Sequence, residues 1–292
     1  MRLHYLNNTK GELSFFVRDP GLRKNHYEKA SGQYSHTIAW NTGQAQKVTI
    51  DEVEYTFAEN TVLPLMLNQS FHFENPETII AWQFNREFYC IVNHDAEVGC
   101  VGFLFFGPSP TMFIQLDPEL IRRLHLLVEI FEDEFLSKDN IQGDMLRILL
   151  VRLIIQLTRQ AKLQYVPSNE IDDSQFNLIR QFNLLVEVHF RKEHQVKFYA
   201  NELHKSPKTL SNLFAKCKIK SPQQTIQDRI ILEAKRLFYY TEKSAKEIAA
   251  ELGFGDAAHF SRFFKNCTSI SPSELKKQQL PPEEGKNVQA VG

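Results

Sequence analysis

The sequence predicts a two-domain α+β fold: an antiparallel β-barrel backed by a helical hairpin, then an all-α domain with two helix-turn-helix motifs. Three observations lead there. Residues 1–116 are rich in Phe, Val, Ile, Tyr and Thr between frequent turn signals, and from Asp117 the apolar residues recur with a helical period instead. A segment near the C-terminus is written twice, with an offset of 49 and then 50 residues. Charge divides along the same line: residues 1–172 hold 15 Lys+Arg against 22 Asp+Glu, a balance of −7, while 173–292 hold 19 against 13, or +6.

The front segment breaks at Asp19-Pro20-Gly21, Ala30-Ser31-Gly32, Asn41-Thr42-Gly43, Glu59-Asn60 and Gly107-Pro108-Ser109-Pro110. Alternating runs at 34–40, 47–50, 54–57, 78–84, 100–106 and 112–116 read as short strands. Short strands with regular turns describe a sandwich or barrel, here a cupin-like antiparallel barrel over 1–116.

Two helices follow over 117–163. Asp117 is placed to cap the first, with Pro118 at a position where its missing N–H costs nothing. Leu120, Ile121, Leu124, Leu127, Val128 and Phe131 then recur at i, i+3, i+4 and i+7. The second helix is lined by Ile141, Met145, Ile148, Leu149, Arg152 and Ile155. Apolar on more than one face, it is expected to pack on another copy of the chain as a helical dimerisation hairpin. Together 1–165 form the expected sensory or dimerisation domain, and 166–173 a linker.

The domain expected over 174–280 opens with a helix marked by Phe176, Ile179, Phe182, Leu185 and Val186. The repeat lies within it. Ala200 matches Ala249 and Leu203 matches Leu252; one extra residue in the second turn then pairs Leu210 with Phe260, Phe214 with Phe264 and Cys217 with Cys267. Each copy reads as a short helix, a tight turn and a second helix, the motif that carries a helix into the DNA major groove. The cysteines read as small apolar core filler.

In the first copy Ser206 caps a helix that starts at Pro207. Thr209, Ser211 and Asn212 then point outward near its start as candidates for base edges. Lys208, Lys216, Lys218 and Lys220 suit phosphates. In the second, Asp256 is the cap, and Ala257, Ala258, His259, Ser261 and Arg262 face outward. Arg262 suits guanine, the alanines suit thymine methyls, and Lys265 suits a phosphate. Between them a helix from Pro222 to about Tyr240 would span roughly 28 Å at ~1.5 Å per residue, close to one turn of duplex. Its inner stripe is Ile226, Ile230, Ala234 and Leu237, with Arg229 and Lys235 on other faces. A last helix starts at Pro272, and 281–292 have the composition of a disordered tail.

At 175–278 the sequence closely resembles the AraC/XylS family of bacterial transcription regulators. The second copy carries most of the likeness, in EIAAELGF, FSRFFK and ISPSELKK. Where this chain has Lys218 and Ser269 the family usually has glycine. The resemblance implies a seven-helix DNA-binding domain, often behind a β-barrel that dimerises through helices. Double-stranded promoter DNA is then the partner, with RNA polymerase a further candidate.

A metal-dependent cupin enzyme fused to a DNA-binding module would need a ligand set, and His26, His36, His72 with Glu74, and His94 are the candidates. They do not form the usual spacing, and no nucleophile or phosphate-loop motif is present, so neither catalysis, metal nor cofactor is expected. The third reading is a dimeric regulator that responds to no ligand. If the barrel does take a small-molecule effector, Arg23, His36, Gln83 and Arg86 are the polar candidates for its site. No run is apolar enough to span a membrane, and a cytoplasmic homodimer is expected.

Overall fold

The computed structural model describes residues 1–25, 35–51, 53–66, 69–91, 101–106, 111–165, 173–217 and 219–278. Among these, two antiparallel sheets form the front domain. The larger runs β1 (Arg2–Leu6), β2 (Glu12–Val17), β9 (Ile79–Asn85), β4 (Ser35–Asn41), β7 (Thr61–Leu65) and β10 (Ile114–Gln115) in spatial order. The smaller runs β3 (Lys24–Asn25), β8 (Phe71–Phe73), β5 (Gln46–Ile50) and β6 (Val53–Phe57).

Side chains of the larger sheet alternate between two cores. Phe16, Ala39, Leu63, Leu65, Ile79 and Ala81 face the smaller sheet and meet Val48, Ile50, Phe57, Phe71 and Phe73. Phe15, Ile38, Trp40, Ile80, Trp82 and Phe84 face the helices. The larger sheet is covered on both sides, and β4 and β9 at its centre are accordingly buried along nearly their whole length.

The expected strand at 100–106 is instead a helix, α1 (Val101–Phe106). Phe103, Leu104 and Phe105 are all buried, so the run has no polar face whose spacing could distinguish a strand from a buried helical turn. The expected strand at 112–116 shortens to β10.

The hairpin is α2 (Pro118–Leu136) and α3 (Gln142–Tyr165). Asp117 caps α2, its carboxylate accepting from the Leu120 amide at 2.8 Å. In α3 the inward stripe is Leu146, Leu149, Leu150, Leu153, Ile154, Leu157 and Ala161. The buried stripe is rotated from the one the sequence predicts: Ile141 and Ile148 are 63% and 59% exposed, and Met145 and Arg152 also face out. With apolar residues on both sides of the helix, periodicity alone could not choose the buried one. No helix among the described residues is long and apolar enough to cross a membrane.

Behind the front domain come α4 (Asp173–His189), α5 (Val196–Glu202), α6 (Pro207–Lys216), α7 (Pro222–Tyr240), α8 (Ala245–Glu251), α9 (Ala257–Thr268) and α10 (Pro272–Gln278). Helix α4 starts at Asp173; residues 166–172 of the expected linker, the last two residues of the expected DNA-binding domain and the expected tail 281–292 lie outside the described residues. The two domains meet where α1 packs on α4, and where the Asp51 carboxylate accepts from the Arg236 guanidinium at 3.3 Å.

Arg229 departs from the sequence reading. It is 8% exposed and lies between Glu187 at 2.5 Å and Glu233 at 2.9 Å, with its guanidinium 3.9 Å from the centre of the Phe190 ring. Burial disfavours its charge, but the two carboxylates outweigh burial and raise its pKa. Burial likewise works against the Glu233 carboxylate, and Arg229, Arg191 and Arg236 more than offset it, holding its pKa below the ordinary value. The sequence places Arg229 off the inner stripe of its helix, a position that by itself does not imply burial. Here two acidic partners lie in the interior with it.

Candidate nucleic-acid interface

The two copies fold alike down to single hydrogen bonds. In the first, α5 ends in a turn where His204 N–H donates to the Asn201 carbonyl at 2.9 Å and Lys205 N–H to the Ala200 carbonyl at 2.8 Å. In the second, Gly253 N–H donates to Ala250 at 3.1 Å and Phe254 N–H to Ala249 at 2.9 Å. His204 and Gly253 occupy the same left-handed position, at φ 51° and 76°. Each following helix is then capped by a side chain: Ser206 Oγ accepts from Thr209 N–H at 3.0 Å, and Asp256 Oδ1 from His259 N–H at 2.6 Å. Ala200 and Ala249 are fully buried where the paired helices cross, and Leu210, Phe214, Phe260 and Phe264 hold α6 and α9 down on the core.

The outward faces are polar. On α6, Lys208, Thr209, Ser211, Asn212 and Lys216 are exposed. Ser211 Oγ donates to the Pro207 carbonyl at 3.0 Å, and Lys216 Nζ to Gln175 at 3.0 Å. Lys220 is exposed and paired with Asp228; Lys218 lies outside the described residues. On α9, Ala258, His259, Arg262 and Lys265 are exposed, while Ala257 and Ser261 are half-buried and Ala257 packs against the core. Cys217 is buried as expected, but Cys267 is exposed. Helix α6 ends at Lys216 and lets Cys217 turn in as its cap, whereas α9 runs on to Thr268 and keeps Cys267 on its surface. Ser269, which follows, sits at φ 67°, a conformation that favours the glycine the family resemblance implies there.

One feature near the first copy was not legible in the sequence. The corner between α4 and α5 borders a cleft of about 410 Å³ lined by Lys192, Glu193, His194, Gln195, Lys197, Phe198 and Asn201. Loop residues have no periodicity to mark them.

In the front domain the four polar candidates do not come together. His36 pairs with Phe84 across β4 and β9 and lies on the helix side, its ring 4.6 Å from that of Phe105. Complete burial pulls its pKa down to about 3, so the imidazole is neutral. Gln83 pairs with Thr37 on the opposite face and donates to its hydroxyl at 3.1 Å. Arg86 is exposed just past β9, and Arg23 ends the turn Pro20–Arg23, its side chain outside the described residues. Of the candidate metal ligands, His26 and His94 lie outside the described residues, and Glu74 accepts from the Lys47 amide at 3.0 Å. Among the described residues no three His, Cys, Asp or Glu side chains group as a metal site.

Residues 199–278 match a helix-turn-helix domain family. The chain is 24% identical over 163 residues to the HTH-type transcriptional activator RhaS of Salmonella schwarzengrund, covering 56% of each. To RhaS of an Enterobacter species it is 27% identical over 130 residues, covering 44% of this chain and 45% of that one. It thus spans about half the length of the curated relatives it matches. Among solved structures, unsaturated fatty acid-bound ToxT of Vibrio cholerae aligns over 93% of this chain and 96% of its own, at 17% identity and TM-score 0.41. A regulator of Chromobacterium violaceum with an AraC-type DNA-binding domain aligns over 38% of this chain and 99% of its own, at 22% identity and TM-score 0.33.

Proposed function

We propose that this chain is a DNA-binding transcription regulator of the AraC/XylS type, supported by the helix-turn-helix family match and the RhaS relatives, and that α6 and α9 read two successive major grooves of promoter DNA. The matched, exposed polar faces of these two capped helices on one core carry the reading. Thr209, Ser211, Asn212, Ala258, His259 and Arg262 meet base edges, with Ala257 and Ser261 at the margin of that face. Lys208, Lys216, Lys218, Lys220 and Lys265 hold phosphates. Arg262 is the strongest single reader, because a guanidinium can bond both acceptors of guanine.

Selection of sites from random DNA tests this, with two information peaks about ten base pairs apart as the expected result. Arg262→Ala should cost about 1–3 kcal/mol on the selected site and relax preference at one or two base pairs. A single peak, or equal weakening on every sequence, would remove Arg262 from the reading.

The division of labour follows: 1–165 sense or dimerise, 166–173 link, and 174–280 bind DNA in the cytoplasm, without catalysis. Effector response through the barrel has a physical route in the Asp51–Arg236 contact and in α1 packed on α4. A ligand-independent regulator is favoured by a different observation, the filling of the space between the sheets by Phe16, Phe57, Phe71 and Phe73. A thermal-shift screen of small acids, sugars and aromatic metabolites separates the two.

Dimerisation is assigned to the outer faces of the hairpin, where Leu126 and Ile130 on α2 and Met145 and Ile148 on α3 are exposed. Ile148→Glu should give a monomer by light scattering with an unchanged melting temperature. Leu149→Glu is unsuitable for this test, since Leu149 is buried within its own domain. An intact Ile148→Glu dimer would move the interface elsewhere.

A further inference from the structure

The turns of the two motifs have the same hydrogen bonds and different surroundings. In the first, His204 and Lys205 are exposed. In the second, Gly253 lies so close to the α4–α5 corner that a Cβ there would sit 2.2 Å from the Arg191 carbonyl oxygen. Phe254 next to it is buried, its ring centre 4.7 Å from that of His194 in the corner. On its other side, Phe254 lies 5.4 Å from the ring of His259 and 5.1 Å from that of Phe263, both on α9.

The corner is also fastened to the first motif and to the helix between the motifs. Tyr199 of α5 donates its hydroxyl to the Glu193 carbonyl at 2.6 Å. Gln223, in the first turn of α7, donates to the His194 carbonyl at 3.3 Å, and Arg191 pairs with Glu233 farther along α7. A few residues thus touch the leading helix of one reading unit, both halves of the spacer, and the turn that aims the other unit.

We propose that this corner is a bracket that fixes α9 relative to α6, with His194 as the positioning residue that acts on α9 through Phe254. The bracket makes the domain sensitive to the distance between its half-sites; it rests on the two-groove reading above. Each inserted base pair moves the second half-site by about 3.4 Å and rotates it by roughly 35°. A spacer helix held at one end only could bend and twist to follow. One braced at a second point through ring contacts and a glycine approach cannot do so without breaking them.

The test uses the full chain and the duplex that it selects from random DNA, with versions one base pair longer or shorter between the two halves. Wild type should lose at least about tenfold in affinity on either altered duplex. His194→Ala should keep the base preferences within each half but lose no more than about threefold on the altered spacings. His194→Phe, which keeps a ring against Phe254, should restore the penalty. A role in stability alone would weaken all duplexes equally and leave the spacing ratio unmoved; that result overturns the bracket. If His194→Ala does not fold, as its melting curve would reveal, His194→Gln removes the ring contact more gently and decides the same question. If wild type selects no two-part site, the two-groove reading fails first, independently of His194.

Discussion

Arg229→Ala is expected to lower the stability of the C-terminal domain by about 3–5 kcal/mol, because it leaves Glu187 and Glu233 in the interior without their shared cation. Glu233 is 5% exposed and cannot turn to solvent as a surface carboxylate would. Denaturant titration followed by helical circular dichroism measures the effect. Lys235→Ala, at a half-buried site on the same helix, should shift the midpoint far less. Replacing Arg229 together with Glu187, as Arg229→Met and Glu187→Leu, should recover part of the loss, because Glu233 keeps Arg191 and Arg236 as partners. The same cluster sets an acid limit. Because the Glu233 pKa is depressed on folding, its contribution is complete above the ordinary carboxylate pKa of about 4.3 and drains away as pH falls through the folded value. Wild type should therefore lose stability in acid, and the double replacement, which removes the largest cation acting on Glu233, should lose less.

Binding to the selected duplex should fall steeply with salt. Five lysines on phosphates give a slope of about −4.5 in log affinity against log salt, or roughly 500-fold between 50 and 200 mM. Lys216 and Lys220 already have partners in Gln175 and Asp228, which they must exchange for phosphate. Lys216→Ala should lower the slope by about one unit on every sequence, unlike Arg262→Ala with its effect on base preference. A slope unchanged by Lys216→Ala would take that residue off the backbone.

The rear domain was the more legible half because its signals are local. Caps at Ser206 and Asp256, prolines at Pro207, Pro222 and Pro272, and apolar residues three and four apart fix helices without distant information. The family match over 199–278 falls on the same segment. The front domain depends on which strand lies beside which, and sequence does not state that. Hence the alternating runs mark no strand at β1, β2, β3, β7 or β8, and the run at 100–106 predicts a strand where the chain folds as α1. Site reading failed for the same reason. Gln83 and His36 are both polar positions in adjoining strands, and only the register puts them on opposite faces. The clamp on Gly253 is a contact between residues about sixty apart, invisible to any pattern along the chain.

Although the motif is duplicated, the core is not. Side chains from α4 to α10 form one continuous cluster, in which Phe182 and Tyr199 from the first half share a nucleus of packing with Phe238, Phe260 and Phe264 from the second, through Ile226, Ile230 and Ala234 of α7. Neither copy encloses enough apolar surface to exist alone. The repeat is therefore a repeat of shape and not of folding units, unlike a solenoid, whose modules melt one after another. Amide protons in α6 and α9 should exchange at a common rate set by opening of the whole domain, and heating should abolish both reading heads in a single transition. A lesion beneath one head would then silence its twin as well, so evolution could retune the two surfaces separately but never the support under them.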